Sequence, residues 1–277
     1  MLIQRIITGI IGMLATIAVV MYGSWAFVCA ITLLAVIAFY EYGKVFNHID
    51  VSIWRTIGFI LIPLIMGCAW LGNANETIGL LLAGVLIIFA RVVFAHVKFS
   101  IPSAAITISG IFYVGLTFSH LILLRFAYTD IVISTALGDI AAGAAFIWLA
   151  FVGTWASDTF AYFVGCSIGK HKLCPSISPG KTIEGFLGGL IGTVLALVGL
   201  GMLFHFSPYH MVFLGGLLAS VATIGDLVES CIKRFTGVKD SGDILPGHGG
   251  VLDRFDSIMF TVPLVYYYVH IFSIFNQ

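Results

Sequence analysis

Nine apolar segments dominate this sequence of 277 residues, at approximately 5–22, 25–41, 54–72, 77–95, 103–125, 140–165, 183–204, 209–232 and 251–275. About 20 apolar residues cross a bilayer's hydrocarbon core as an α-helix, and repeated runs of about 18 or more read as transmembrane candidates. Composition agrees: 60% of residues are apolar, 9% are charged and the mean hydropathy is +1.10. A soluble domain carries roughly a quarter charged residues and rarely exceeds about half apolar ones. The predicted class is an all-α polytopic integral membrane protein with about nine transmembrane helices.

Charge placement orients it. With nine spans, the N-terminus and the even-numbered loops share a side, and Arg5, Lys44, Arg55, Arg91, Lys98, Lys170, Lys172, Lys181, Lys233, Arg234, Lys239 and Arg254 lie there or at its helix ends. Only Arg125, of thirteen basic residues, falls on the other side. The positive-inside rule then puts the N-terminus in the cytoplasm and the C-terminus outside. Arg5 ahead of an apolar run resembles a signal sequence, but no small-residue cleavage site follows, so a retained first helix is expected. The first two segments are split only by Tyr22-Gly23-Ser24, which predicts a tight helical hairpin.

Several classes are excluded. The formal net charge is zero, so no basic patch argues for nucleic acid. The five cysteines form no CxxC pair and read as apolar fillers, and the eight histidines form no HExxH. Of the thirteen acidic residues, eight lie at or beyond Asp158. The chain therefore reads as a scaffold of N-terminal helices over 1–135 and a C-terminal region over 136–277 that carries the polar chemistry.

Four polar pieces stand out there. In SDTFAYFVG, residues 157–165, Asp158 sits late in an apolar segment, where a carboxylate costs about 2.5–3.5 kcal/mol and faces a cavity or a partner. A hydrogen bond to a neighbouring helix is the plain alternative. In SPGKTIEG, residues 178–185, Thr182 suits a helix N-cap, Glu184 the first turn and Lys181 an anion beside the helix N-terminus. A capped helix with a snorkelling lysine explains it nearly as well. In GDLVESCIKR, residues 225–234, Asp226, Glu229, Ser230 and Lys233 share one helix face, fitting either a cation between carboxylates or an ion-pair ladder.

The fourth is VKDSGDILPGHGGVLDRFD, residues 238–256, with four Asp and four Gly in a chain otherwise so apolar. Its glycines let backbone amides approach an anion, Pro246 stiffens the turn, and Asp253 and Asp256 fall in the first turns of the last helix. A lone DxxD could simply cap that helix. Together with Asp226 and Glu229, oxygen ligands without a Cys or His motif suit a hard cation such as Mg2+. The residues alone imply a metal-dependent enzyme acting on a phosphorylated substrate at the bilayer face.

The run SCIKRFTGVKDSGDILPGHGGVLDRFDS, residues 230–257, resembles the signature of the phosphatidate cytidylyltransferase (CDP-diacylglycerol synthase) family. SDTFAYFVG and SPGKTIEG are similar to further blocks of that family, and Arg5-Ile-Ile-Thr8-Gly9 to its opening. Ile183 stands where the family often has Trp, and Phe160 where a small residue is common, which predicts a reshaped pocket. The resemblance implies that phosphatidate and CTP give CDP-diacylglycerol and pyrophosphate, at a cytoplasm-facing site of a multi-pass cell-membrane protein. It implies Mg2+, with a second cation (divalent or K+) as an option. Asp226, Asp253 and Asp256 would hold the metal, with Asp158 and Glu229 as further candidate ligands. Lys239, Asp240, His248 and Arg254 would shape the phosphate and nucleotide site. Ser178, Lys181, Thr182, Lys233, Arg234, Gly249 and Gly250 would bind substrate.

Two rivals differ in chemistry. A CTP-dependent lipid kinase would pass on a terminal phosphoryl group. A transporter would bind cations near the bilayer midplane, whereas these acids crowd one interface. The Gly188/Gly192 spacing permits close helix packing and leaves a homodimer open.

Overall fold

The computed structural model describes residues 2–95, 97–244, 247–272, 274 and 275, with the side chains of 2–5 left out, so Arg5's side chain and Pro246 lie outside the described residues. Helices account for most of it: α1 (Leu2–Tyr22), α2 (Ser24–Phe46), α3 (Arg55–Leu71), α4 (Ala74–Phe94), α5 (Ile101–Gly110), α6 (Thr117–Arg125), α7 (Ala142–Ile168), α8 (Ile183–Leu203), α9 (Pro208–Thr236), α10 (Leu252–Phe255) and α11 (Ile258–Ile271). A π-helical stretch, Ile111–Leu116, joins α5 to α6 into one rod. Each of the nine apolar segments thus has a helical counterpart. Among the described residues, six helices are long and apolar enough to span a bilayer, and Ile6–Tyr22 and Arg55–Leu71 are shorter apolar helices. The ninth segment is broken between α10 and α11, where Asp256 and Ser257 interrupt it. The protein is an all-α polytopic membrane protein.

The apolar surface follows from that class. Over its most apolar stretch α4 is only 11% buried, and Leu82, Leu86, Val93 and Phe94 stand exposed. Apolar exposure on that scale is stable against lipid tails, not water.

The described chain divides into two compact units. The first takes in residues 1–123 and 233–255. It is built on a buried cluster including Phe27, Phe39, Tyr42, Ile62, Met66 and Phe118, and Gly58 and Gly110 let α3 and α5 close onto the Phe39 and Tyr42 rings. The polar loop of residues 238–250 belongs to this unit.

The second unit takes in residues 124–232 and 256–277. Its centre is the packing of α8 on α7. A Cβ on Gly189 would come within 2.9 Å of the Ser157 carbonyl, and one on Gly185 within 2.8 Å of the Ala161 carbonyl, so only glycine admits this approach. Gly188 and Gly192 face Val164 and Phe160 of the same chain. Their spacing is consumed within the fold and no longer argues for a dimer. Buried Thr154 and Thr261 hydroxyls, 2.9 Å apart, tie α7 to α11. Two small antiparallel hairpins complete the unit: β1 (Val132–Thr135) with β2 (Gly138–Ala141), and β3 (Lys172–Cys174) with β4 (Ser178–Thr182).

Candidate active site

SPGKT forms β4 and feeds directly into α8. Thr182 is the N-cap: its backbone is extended and its hydroxyl accepts the Gly185 N–H at 3.1 Å. Glu184 in the first turn accepts the backbone N–H groups of Lys170 and His171 and lies 2.6 Å from His171 Nδ1, pinning the start of the hairpin to the helix. Register pairing of Lys172 with Thr182 and Cys174 with Ser178 then fixes Lys181 at the strand's end.

That placement opens onto a cavity of about 460 Å³ within the second unit, lined by Asp158, Ser178, Lys181, Thr182 and Asp226 among others. The volume lies in the range of small-molecule sites. Three of the four polar pieces therefore meet in one place. Lys181 Nζ lies 2.7 Å from Asp226 Oδ2, and Asp226 Oδ1 takes the Ser230 hydroxyl at 3.3 Å. Glu229, one turn on, is buried. The Asp256 segment reaches the same helix: a Cβ on Gly225 would come within 2.8 Å of the Asp256 carbonyl, and the Ser257 hydroxyl donates to the Ala222 carbonyl at 3.0 Å. Asp256 Oδ1 accepts the Ser257 N–H at 2.6 Å.

The first unit organises the glycine loop around Asp253. One Asp253 oxygen lies 2.9 Å from Lys233 Nζ, and the other accepts the Ser241 and Gly250 N–H groups at 2.9 Å each. Gly249, at φ 82°, brings its Cα so close that a Cβ would stand 2.9 Å from the same oxygen. The loop's amides do gather around an anion, as the glycine content suggests, but for Ser241 and Gly250 that anion is Asp253 itself. Arg254 Nε donates to the His248 carbonyl at 2.7 Å, closing the loop's other end. Lys239, Asp240, Arg234 and Arg254 are exposed.

The residues bear on a divalent cation unequally. Among the described residues no group of three or more His, Cys, Asp or Glu side chains could hold a metal ion. Asp226 and Asp256, on segments in direct contact, supply hard oxygen donors of the type that takes Mg2+ together with substrate phosphates. Asp253 fits that role less well, because a carboxylate has about four lone-pair positions and protein donors already occupy three.

The cavity thus carries a lysine–aspartate pair at the ends of apolar helices. The sequence profile of the cytidylyltransferase family matches residues 3–272. The chain belongs to the cytidylyltransferase family. It is 34% identical over 280 residues to a protein of Bacillus subtilis (strain 168) named phosphatidate cytidylyltransferase, an alignment covering 98% of each chain. Proteins of that name from Staphylococcus haemolyticus (strain JCSC1435) and Staphylococcus aureus (strain COL) are 36% identical over 270 and 265 residues, covering 94% of this chain and 96% of each relative.

In this cytidylyltransferase the sequence pattern overlooked residues of two kinds. Ser157 and Tyr162, which lie within SDTFAYFVG beside Asp158, and Thr223, which lies outside the four polar pieces, also line the cavity. Glu41, in the N-terminal helices, contacts the glycine loop: its Oε2 accepts the Leu252 N–H at 2.9 Å. A signal for Glu41 existed, because an acid at the end of an apolar helix needs a polar partner.

Proposed function

We propose that this chain is a phosphatidate cytidylyltransferase, which transfers CMP from CTP to phosphatidic acid and releases pyrophosphate. The observation that carries this is near-full-length similarity to proteins of that name, joined to a cavity whose Lys181–Asp226 pair suits a phosphorylated, cation-accompanied substrate.

A phosphate oxygen of phosphatidate attacks the α-phosphorus of CTP. A new P–O bond forms there, the bond to the bridging oxygen of the β-phosphate breaks, and pyrophosphate leaves with the electron pair. The nucleophile is already anionic near neutral pH, so no protein base has to create it. The barrier lies in bringing two polyanions together, and fixed charges offset it. Lys181 has three N–H donors, so it can keep Asp226 and still offer hydrogen bonds to phosphate oxygens. Ser178 and the capped start of α8 frame the same cavity and orient the substrate. Lys239, Asp240, His248, Arg254, Lys233, Arg234, Gly249 and Gly250 are assigned to phosphate and nucleotide handling through the glycine loop.

A divalent cation, Mg2+, is assigned to Asp226 and Asp256, and would neutralise phosphate charge and steady the leaving group. We place the enzyme in the cell membrane with its site facing the cytoplasm, in keeping with twelve of thirteen basic residues on one side. There the lipid tails remain in the bilayer while the headgroup reaches the cavity.

Purified protein in phosphatidate liposomes, supplied with Mg2+ and CTP labelled at either the α- or the γ-phosphorus, tests the reaction. The α-label is expected in the lipid fraction and the γ-label in pyrophosphate. A γ-labelled lipid would instead establish a kinase.

A further inference from the structure

Glu41 is 1% exposed, near the end of α2, yet it is spent neither on the helix nor on water. Its Oε2 accepts the Leu252 N–H at 2.9 Å, at the start of α10. Its Oε1 is buried and finds no hydrogen-bond partner among the described residues. The loop is shaped to the carboxyl group. Gly242 lies against Oε1, with no room for a Cβ, and a Cβ on Gly250 would come within 2.6 Å of Oε2 and 2.5 Å of Ser241 Oγ. Both glycines flank the segment 243–249, so Glu41 touches the two ends of the loop and the helix turn that follows it.

Accepting the Leu252 N–H accounts for one oxygen of this carboxyl group and not for the other. A buried carboxyl oxygen without a partner costs stability, and the fold bears that cost here. Buried polar groups kept against that cost are found where a site has to be held in one geometry. We infer that Glu41 is a positioning residue for the transfer reaction: from the N-terminal helices, its carboxyl holds Gly242, Gly250 and Leu252 in the places in which the glycine loop serves the substrate. The inference rests on the loop's proposed part in phosphate and nucleotide handling. Glu41 itself need touch no reacting atom.

The test compares Glu41→Ala, Glu41→Gln and Gly242→Ala in the full-length protein in nanodiscs. Amide hydrogen exchange is followed over residues 238–252, alongside kcat and KM for CTP and for phosphatidate. Glu41→Ala is expected to speed exchange across the loop by at least about tenfold while the other helices keep their protection. It is expected to lower kcat/KM for CTP by about tenfold or more, with KM for phosphatidate within about threefold. Glu41→Gln keeps the length and an acceptor for the Leu252 N–H, and is expected to recover most of both. Gly242→Ala leaves Glu41 intact but drives a methyl group against its carboxyl, and is expected to loosen the loop likewise. Unchanged exchange in Glu41→Ala and Gly242→Ala would overturn the inference. A loosened loop with unchanged CTP kinetics would overturn the loop's proposed role instead.

Discussion

Lys181 Nζ stands 2.7 Å from an Asp226 carboxylate oxygen, with the two side chains 24% and 34% exposed. A pair this open to its surroundings contributes at most about 1 kcal/mol to folding. Its proposed role is to hold a positive charge at the cavity. Lys181→Ala should leave the thermal midpoint within about 2–4 °C of wild type. It should lower kcat/KM for CTP about 10–100-fold, the equivalent of one lost hydrogen bond to a charged group. Steady-state kinetics beside thermal unfolding in detergent checks this, and a lowered midpoint with unchanged kinetics would make the lysine structural.

The Asp253–Lys233 pair behaves differently because its side chains are only 6% and 17% exposed. Asp253→Asn keeps the shape but removes the charge that faces Lys233 and turns an N–H group toward Lys233, Ser241 or Gly250. Product formation should cease while the helices persist. Loss of one partner of a buried pair costs about 3–5 kcal/mol, and removing both costs less. The double variant Asp253→Asn, Lys233→Met should therefore unfold at a higher temperature than Asp253→Asn alone. Near-normal turnover in Asp253→Asn would detach this carboxylate from the site.

Gly189 lies where a Cβ would stand 2.9 Å from the Ser157 carbonyl and 3.2 Å from the Ala161 side chain. Gly189→Leu cannot be absorbed by a rotamer change, because the obstacle is backbone. It should force α8 away from α7 and destabilise the protein by about 1–3 kcal/mol, the usual cost of overpacking. Because Ser157 and Asp158 line the cavity, turnover should fall with the unfolding midpoint. A midpoint equal to wild type would show that the two helices separate freely.

Much of this was legible in the sequence, for physical reasons that differ by residue. The apolar segments reappear as helices because the bilayer leaves the backbone no other satisfied state. Thr182 and Glu184 take their expected places at the start of α8, since capping depends only on local spacing. The helix spacing put Asp226 beside Ser230, and the structure keeps them 3.3 Å apart. What spacing could not supply was partners distant in the chain. Lys233 binds Asp253, 20 residues on, and Glu41 binds Leu252 across 211 residues. Nor could composition distinguish loop amides aimed at a substrate from amides aimed at the chain's own Asp253.

Removal of divalent cations should stop the reaction without unfolding the protein. EDTA is expected to abolish CDP-diacylglycerol formation, and added Mg2+ to restore it. The thermal midpoint should move by no more than a few degrees, because the helices fold around apolar packing. Turnover that persists through exhaustive chelation would remove the cation assigned to Asp226 and Asp256.

Turnover of Asp226→Asn bears most directly on the cavity as the place of cytidylyl transfer. The substitution keeps the side chain's size and can still accept the Ser230 hydroxyl. It removes the charge that faces Lys181. With helix content and unfolding midpoint matching wild type, release of pyrophosphate from CTP in phosphatidate liposomes should fall at least about 100-fold. Release within about twofold of wild type, from an equally folded protein, would contradict the assignment.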